Sequence, residues 1–177
     1  EFEGWYTGDT KYNFNQIVTS DITLEAKWIP SKYDVFLNTN GGTINSGNIT
    51  EYIYGQGATL PTDMTRPGYT FEGWYDDESF SGSPVTEISK TDTGIKKYWA
   101  KWDANTYTVK FDTDGGSSIN NKTGVTWTDT VLDGVTAPTK DGWEFTGWKC
   151  GNTIVEASTK YSDLVEDDTI TNVTLVA

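Results

Sequence analysis

Tyr33-Asp34-Val35-Phe36-Leu37-Asn38-Thr39-Asn40-Gly41-Gly42 returns 74 residues later as Tyr107-Thr108-Val109-Lys110-Phe111-Asp112-Thr113-Asp114-Gly115-Gly116. In the later copy Tyr107, Val109 and Phe111 alternate with Thr108 and Lys110, which is the period of a half-buried strand. Tyr33, Val35 and Leu37 repeat the pattern. The Asn40-Gly41-Gly42 and Asp114-Gly115-Gly116 triplets then supply residues that tolerate positive φ, as a tight hairpin turn requires. Returning strands are expected over 48–54 and 123–129.

The same spacing relates Gly68-Tyr69-Thr70-Phe71-Glu72-Gly73-Trp74 to Gly142-Trp143-Glu144-Phe145-Thr146-Gly147-Trp148, and Phe2-Glu3-Gly4-Trp5-Tyr6 is a third version of its core. A closing motif appears as Thr23-Leu24-Glu25-Ala26-Lys27-Trp28, as Tyr98-Trp99-Ala100-Lys101-Trp102, and in shortened form as Thr174-Leu175-Val176-Ala177. The chain thus divides into the C-terminal half of a repeat (1–28), a linker (29–32), a full repeat (33–102), a second linker (103–106) and a nearly full, divergent repeat (107–177). Linkers of four residues without Gly/Ser enrichment favour a beaded rod over a loose string.

Within the second motif, Phe71 and Trp74 have opposite parity, so strict alternation would place them on opposite faces. Gly73 is therefore expected to mark a bulge that returns Trp74 to the core. In the closing strand Leu24, Ala26 and Trp28 should face inward, with Glu25 and Lys27 outward. The polar stretches 83–94 and 157–168 could each hold one short helix. The half repeat lacks its own first hairpin, so it must pack on the next unit or pair with another chain. Packing on the next unit is the expectation.

Composition narrows the chemistry. The 177 residues include no His, one Cys and one Met, 13 Lys and Arg against 26 Asp and Glu, and eight Trp. Without His, Ser-His-Asp, Cys-His and zinc-deaminase arrangements are excluded, and Cys150 alone forms no intramolecular disulfide. A net charge of −13 argues against nucleic acid or an anionic membrane as partner. No apolar run is long enough to span a bilayer, and Glu1-Phe2-Glu3-Gly4 does not open a signal peptide. The chain is expected to be soluble, with any targeting or anchoring segment outside it. Hydrophobic residues are only 35% of the chain but aromatics are 14%, so each core rests on a few bulky rings.

Together, Tyr-x-Val-x-Phe/Leu, Asx-x-Asx-Gly-Gly, Gly-aromatic-x-Phe-x-Gly-Trp and Ala-Lys-Trp resemble the Listeria-Bacteroides repeat of internalin-like bacterial surface proteins, across essentially the whole chain. The resemblance implies an α+β, mostly β fold of tandem small β-grasp (ubiquitin-like) modules. It also implies an extracellular, secreted or wall-anchored protein, and no catalytic, cofactor-binding or metal-binding residues. Trp143 in place of Tyr69, and Lys149-Cys150 in place of Tyr75-Asp76, mark the last repeat as divergent.

On this reading the chain is a non-enzymatic stalk or spacer whose partners are neighbouring repeats. The alternative is an adhesin module that binds a host or cell-surface protein or a glycan, with Trp99, Trp127 and Trp143 as stacking platforms outside the repeated positions. A carboxylate-dependent hydrolase is a third class, on the acid runs Asp76-Asp77-Glu78 and Glu166-Asp167-Asp168. The charge is evenly spread, however, with five cations against ten carboxylates over 33–106 and five against eleven over 107–177. Solvated loops explain such runs more simply. Asp112-Thr113-Asp114-Gly115 resembles the start of a calcium loop, but its counterparts are Asn38 and Asn40 and Thr123 stands where the closing Glu belongs, so turn chemistry is the better account. Lys110, on the outward face of its strand, is not expected to form an isopeptide bond.

Overall fold

The computed structural model describes residues 1–177, and it is nearly all β. Residues 2–28 form a three-stranded sheet of β1 (Phe2–Thr7), β2 (Thr10–Lys11) and β3 (Glu25–Trp28), in the order β2-β1-β3. Next come β4 (Lys32–Asn38), β5 (Thr43–Ile44), β6 (Glu51–Ile53), β7 (Ala58–Thr59), β8 (Met64–Thr65), β9 (Tyr69–Tyr75), β10 (Glu87–Ile88) and β11 (Lys96–Ala104). Their main sheet has the order β6-β4-β11-β9, with β5-β8 and β7-β10 as side ribbons. The last stretch contains β12 (Tyr107–Asp112), β13 (Lys122–Val125), β14 (Trp148–Cys150), β15 (Thr153–Val155) and β16 (Asn172–Val176), ordered β13-β12-β16-β14-β15.

The first and last strands of each full repeat lie side by side and parallel. β4 pairs with β11 from Val35↔Lys96 to Asn38↔Trp99, and β12 pairs with β16 from Thr108↔Asn172 to Asp112↔Val176. This pairing puts the alternating residues of the opening motif into two separate cores. One contains Val35, Tyr52, Leu60, Trp74, Ile88, Tyr98 and Ala100; the other is built around Val109, Val125, Trp148, Tyr161 and Leu175. Lys110 is exposed, as the alternation requires.

The bulge expected beside Gly73 is present. The β9·β11 register runs Trp74↔Ala100 and Gly73↔Lys101, then skips to Phe71↔Trp102. Skipping Glu72 turns the Phe71 ring onto the same face as Trp74, with ring centroids 5.7 Å apart. Gly4, Gly73 and Gly147 share this geometry at φ +153°, +148° and +148°, a conformation that L side chains rarely adopt.

The Asx-Gly-Gly triplets form turns with two successive positive φ values, +47° and +85° at Asn40-Gly41 and +47° and +81° at Asp114-Gly115. Each turn is closed by a backbone bond, Gly42 N–H to Thr39 O at 3.0 Å and Gly116 N–H to Thr113 O at 2.9 Å. They do not close an immediate hairpin. After the first turn β5 leaves to pair with β8, and the chain returns to β4 only at Glu51–Ile53. Gly42 is required by close approach, since a Cβ there would fall inside the Trp102 indole. That indole N–H donates to Thr39 O at 2.9 Å.

Several expectations are corrected. No α-helix forms, so the α part of an α+β fold is missing: residues 83–94 contain β10, and 157–168 contain one 3-10 turn at Tyr161–Asp163. Val85 and Ile88, too loosely spaced for a helical stripe, are used instead by a bridge to Trp74 and by the β7·β10 ribbon. The linker read at 103–106 is half strand, because β11 continues to Ala104 and β12 starts at Tyr107. The strand expected around Phe145 begins only at Trp148. In the second repeat Phe71 pairs with Trp102, whereas β16 ends at Val176 and reaches no farther than Lys149. Finally, the half repeat does not pack on its neighbour: no residue of 1–29 joins either core. Trp28 is 69% exposed and Ala26 is exposed too, because nothing lies over the face that the alternation turns inward.

Trp74 is 1% exposed, and its indole N–H donates to Pro61 O at 2.7 Å. Trp74→Ala should therefore cost the second repeat about 3–5 kcal/mol. In a denaturant titration this appears as an early transition for that repeat alone, with residues 107–177 unfolding at their original midpoint.

Burial, helped by the Asp92 and Asp76 charges, pushes the Tyr98 phenol up to about 12, and burial does the same to Tyr161 with smaller contributions from Tyr107 and Cys150. A raised phenol pKa favours the neutral, folded form. That stability is complete below the unfolded value of 10.0 and is lost as pH rises through about 12. Thermal melts should therefore fall steeply only above about pH 10, in both full repeats, and stay flat between about pH 6 and 8, where a chain without His has no side chain that ordinarily titrates; the Cys150 thiol, raised by burial from 9.0, adds a smaller loss in the last repeat above that window.

Candidate functional site

For a protein built of repeated sheets, the position where one sheet hands the chain to the next decides what the array can do. Only Asn105 and Thr106 separate β11 from β12. The Asn105 N–H donates to Gly68 O at 2.9 Å, and the Thr70 hydroxyl donates to the Asn105 side-chain oxygen at 2.7 Å. The crossing is thereby tied back to the turn that precedes β9.

Gly68 then meets the following repeat directly. Its N–H donates to Asp168 Oδ2 at 2.8 Å, a bond between residues 100 positions apart. A Cβ on Gly68 would collide with Cβ and Cγ of Trp127, so the turn seats its bare backbone against that side chain. Trp127 is held from the other side by the core of its own repeat, 5.9 Å from the Tyr107 ring and 6.4 Å from Tyr161. The Tyr107 hydroxyl donates to Asp168 O at 3.3 Å, fixing the segment that carries the carboxylate. Gly142 occupies the same place in the last repeat at φ +79°, close to the +78° of Gly68, but nothing stands within 4 Å of where its Cβ would be. Of two equivalent glycines, only Gly68 has a side chain of another repeat against it.

The acid runs serve local structure. Asp77 accepts hydrogen bonds from the side chains and backbones of Ser79 and Ser81, which hold its carboxyl down at about 2. Asp167 accepts from the Thr169 N–H and hydroxyl, which also lowers it. Asp168 belongs to the joint. In the segment that resembles the start of a calcium loop, Asp112 Oδ1 accepts the Asp114 N–H at 3.1 Å, as Asn38 Oδ1 accepts the Asn40 N–H at 3.0 Å. These are Asx turns that carboxylate and amide make equally well. No three His, Cys, Asp or Glu side chains come together in a group that could hold a metal.

The three unrepeated Trp residues part ways. Trp127 is half-buried in the joint, Trp99 is half-buried on β11, and Trp143 is 74% exposed with Lys140 Nζ 5.1 Å from its ring centre. Trp143 borders a cavity of about 240 Å³ lined by Thr113, Gly116, Phe145 and Ala177. Thr39, Gly42 and Phe71, the counterparts of three of these residues, surround the Trp102 indole in the second repeat. The sequence marked Gly68 only as part of a repeated motif, Asn105 only as a linker residue and Asp168 only as one of an acid run, none of them as a contact between repeats. Its only pointer to the joint was Trp127, a large ring with no repeated counterpart.

The geometry defines a class first: a tandem array of small β modules joined through contact. The family follows from comparison. The profile of the Listeria-Bacteroides repeat domain matches residues 1–27, 33–97 and 107–177, and the chain belongs to that family. Two relatives come from Evansella cellulosilytica. One, named as a Gly-rich membrane protein, is 33% identical over 175 residues, 94% of this chain and 19% of its own length. The other, named as a membrane protein, is 32% identical over 180 residues, 99% of this chain and 26% of its own. Internalin H of Listeria monocytogenes is 38% identical over 88 residues, half of this chain and 15% of its own. The chain thus spans about a quarter or less of the relatives it matches, and no solved structure matches it. No helix is long and apolar enough to cross a membrane.

Gly68→Ala and Gly142→Ala should separate the joint from the turn. Both place Ala at positive φ, a cost of about 1–2 kcal/mol, but only the first drives a methyl into Trp127. NMR relaxation should show the two full repeats of the parent and of Gly142→Ala tumbling as one body, and those of Gly68→Ala tumbling separately.

Proposed function

We propose that the chain is a non-catalytic spacer segment of an extracellular bacterial surface protein, wall-anchored or secreted, in which each repeat is a folded bead and the joints fix how successive beads are set. The units are residues 33–102 and 107–177, preceded by the half unit 1–28. Each full unit is read as a helix-free variant of the β-grasp, with the first and last strands parallel at the centre of the sheet. The observation that carries the spacer reading is the joint itself: a two-residue crossing, an Asp168 bond to the turn before β9, and a glycine whose missing side chain makes room for Trp127. A stalk needs its modules held in a set direction, and such a joint supplies that. Names of relatives that refer to membranes and to an internalin agree with a place at the cell surface.

Solution scattering tests this. The full chain should have an elongated profile, unchanged in about 0.5 M salt because contact and not charge sets the joint. Inserting Gly-Ser-Gly-Ser after Ala104 should broaden the distance distribution. A compact profile, or one indifferent to the insertion, would remove the spacer reading.

One observation favours an adhesive role beside the structural one. Trp143 offers a ring face to solvent with the polar Lys140 side chain beside it, the combination a sugar ring stacks on. Glycan-array binding by the full chain should then be lost in Trp143→Ala with no change in melting temperature. An array without hits would leave the spacer alone.

A further inference from the structure

Three positions at which the second repeat departs from the last meet at one place on its surface. In the last repeat Lys140 is ion-paired with Asp114 at 3.1 Å, beside Gly115 and the Trp143 ring. Arg66 takes the matching place, its guanidinium against Gly41 and 3.8 Å from the centre of the Tyr69 ring. The position of Asp114 is filled by Asn40, however, whose amide donates to Ala100 O at 2.7 Å. Arg66, the only arginine of the chain, is therefore fixed by stacking and enters no ion pair.

The third departure is Trp99. It stands beside Asn38 on β4, where Val176 stands beside Asp112, and opposite Tyr75, where Glu25 stands opposite Tyr6. Its half-buried indole lines an open cavity of about 650 Å³ together with Arg66, Asn38, Glu78, Phe80 and Trp102. Phe80 is held at φ +56°, a backbone conformation unfavourable for an aromatic residue. Asp77 maintains it by accepting the N–H groups of Ser79 and Ser81 on either side, and the ring packs edge-on against Tyr75 at 5.6 Å. That wall of the cavity is formed before any ligand arrives.

Each group accounts for one feature of a ligand. An unpaired guanidinium takes a carboxylate through two parallel hydrogen bonds. The indole face takes a flat apolar surface, while Glu78 and the Asn38 amide offer an acceptor and a donor to hydroxyl groups. At the adjoining turn the Asn40 and Gly42 N–H groups already donate to Asn38 Oδ1 and Thr39 O, so recognition falls mainly to side chains and not to a backbone nest of the kind that grips a peptide end. We propose that the second repeat carries a binding site for a carboxylated sugar, a hexuronate unit of a saccharide. Arg66 holds the carboxylate, Trp99 lies against the sugar's ring face, and Glu78 and Asn38 take its hydroxyls.

With 26 acidic side chains against 13 basic ones, the chain repels a densely charged polyanion at long range, so the fitting saccharide carries isolated uronates among neutral sugars. This site is independent of the Trp143 ring face, whose neighbouring Lys140 is already paired and makes no demand for an acid. Carboxylated saccharides therefore report on Arg66, and neutral ones on Trp143.

The test titrates the full chain, followed by proton–nitrogen NMR, with cellobiouronic acid, a glucuronate linked to glucose, and with cellobiose, its neutral twin. The acid should shift the Trp99 indole N–H and Arg66 Nε–H signals saturably, and cellobiose should bind at least about tenfold more weakly, for want of a charge-assisted pair. Arg66→Gln should bring the two sugars to equal affinity. Trp99→Val, which installs the residue of the last repeat, should weaken both at least about tenfold. Asn40→Asp gives Arg66 the partner that Lys140 has and should suppress binding of the acid with the guanidinium still in place. Unaltered melting transitions tie each loss to the ligand and not to the fold. Absence of shifts at Trp99 and Arg66, or equal binding of cellobiose by the parent chain, would overturn the proposal. Shifts confined to the Trp143 indole would also overturn it and leave the adhesive reading of that ring standing. N-acetylalanine bound as tightly as the acid would overturn it in favour of a peptide end.

Discussion

The parallel pairing of the first strand with the last is the constraint on which each repeat depends. In residues 1–29, where no strand lies along the far edge of β3, Trp5, the counterpart of Trp74, is 41% exposed. Only when β4 lies along β11, or β12 along β16, do Trp74 and Trp148 leave solvent, at 1% and 3% exposure. The pairing joins residues about 60 positions apart in the chain, so the module pays a substantial loop-closure entropy before any ring is covered. In a unit of roughly 70 residues the rings are the main return on that cost, which is why a chain of modest hydrophobic content carries eight Trp.

The same pairing determines how repeats connect. Because the last strand lies at the sheet's centre, its end emerges beside the turn that precedes β9, and the next first strand starts two residues later. The crossing therefore has to run past that turn, and its backbone is captured there by Gly68. Trp127 and Asp168 complete the contact from the far side. A residue that looks like ordinary turn chemistry within one repeat is thus also the docking point for the next, with the uncovered Gly142 as its internal comparison.

Much of this was legible in the sequence because repetition isolates what the fold needs. Alternation at Tyr107, Val109 and Phe111 placed the core face, and the conflicting parity of Phe71 and Trp74 located the bulge at Gly73. The inward face read for Leu24, Ala26 and Trp28 holds in a complete repeat, since Tyr98 and Ala100 are buried on β11, and fails in residues 1–28, where no strand lies along the other edge of β3. The missing helices and the detour after the Asx-Gly-Gly turn were not legible: Val85, Ile88, Thr43 and Ile44 find partners distant in sequence, and two-residue ribbons leave no periodic trace. The joint escaped for a different reason. Asp168 sits in an acid run that composition assigns to solvent, and a repeat pattern directs attention to what recurs, whereas Trp127 and Asp168 matter through what does not.

The distribution of charge explains why such a joint is needed at all. With carboxylates outnumbering cations about two to one in each full repeat, neighbouring modules repel, and repulsion alone would extend the array. At physiological ionic strength, however, that force decays over about 8 Å, less than the roughly 20 Å spanned by a six-residue strand such as β12. Repulsion can therefore keep separate chains apart and oppose collapse, but it cannot fix the angle between two modules whose charges lie mostly beyond that range. The angle has to come from short-range contact at the crossing, and one carboxylate in an otherwise solvated acid run has been drawn out of the general charge to make it.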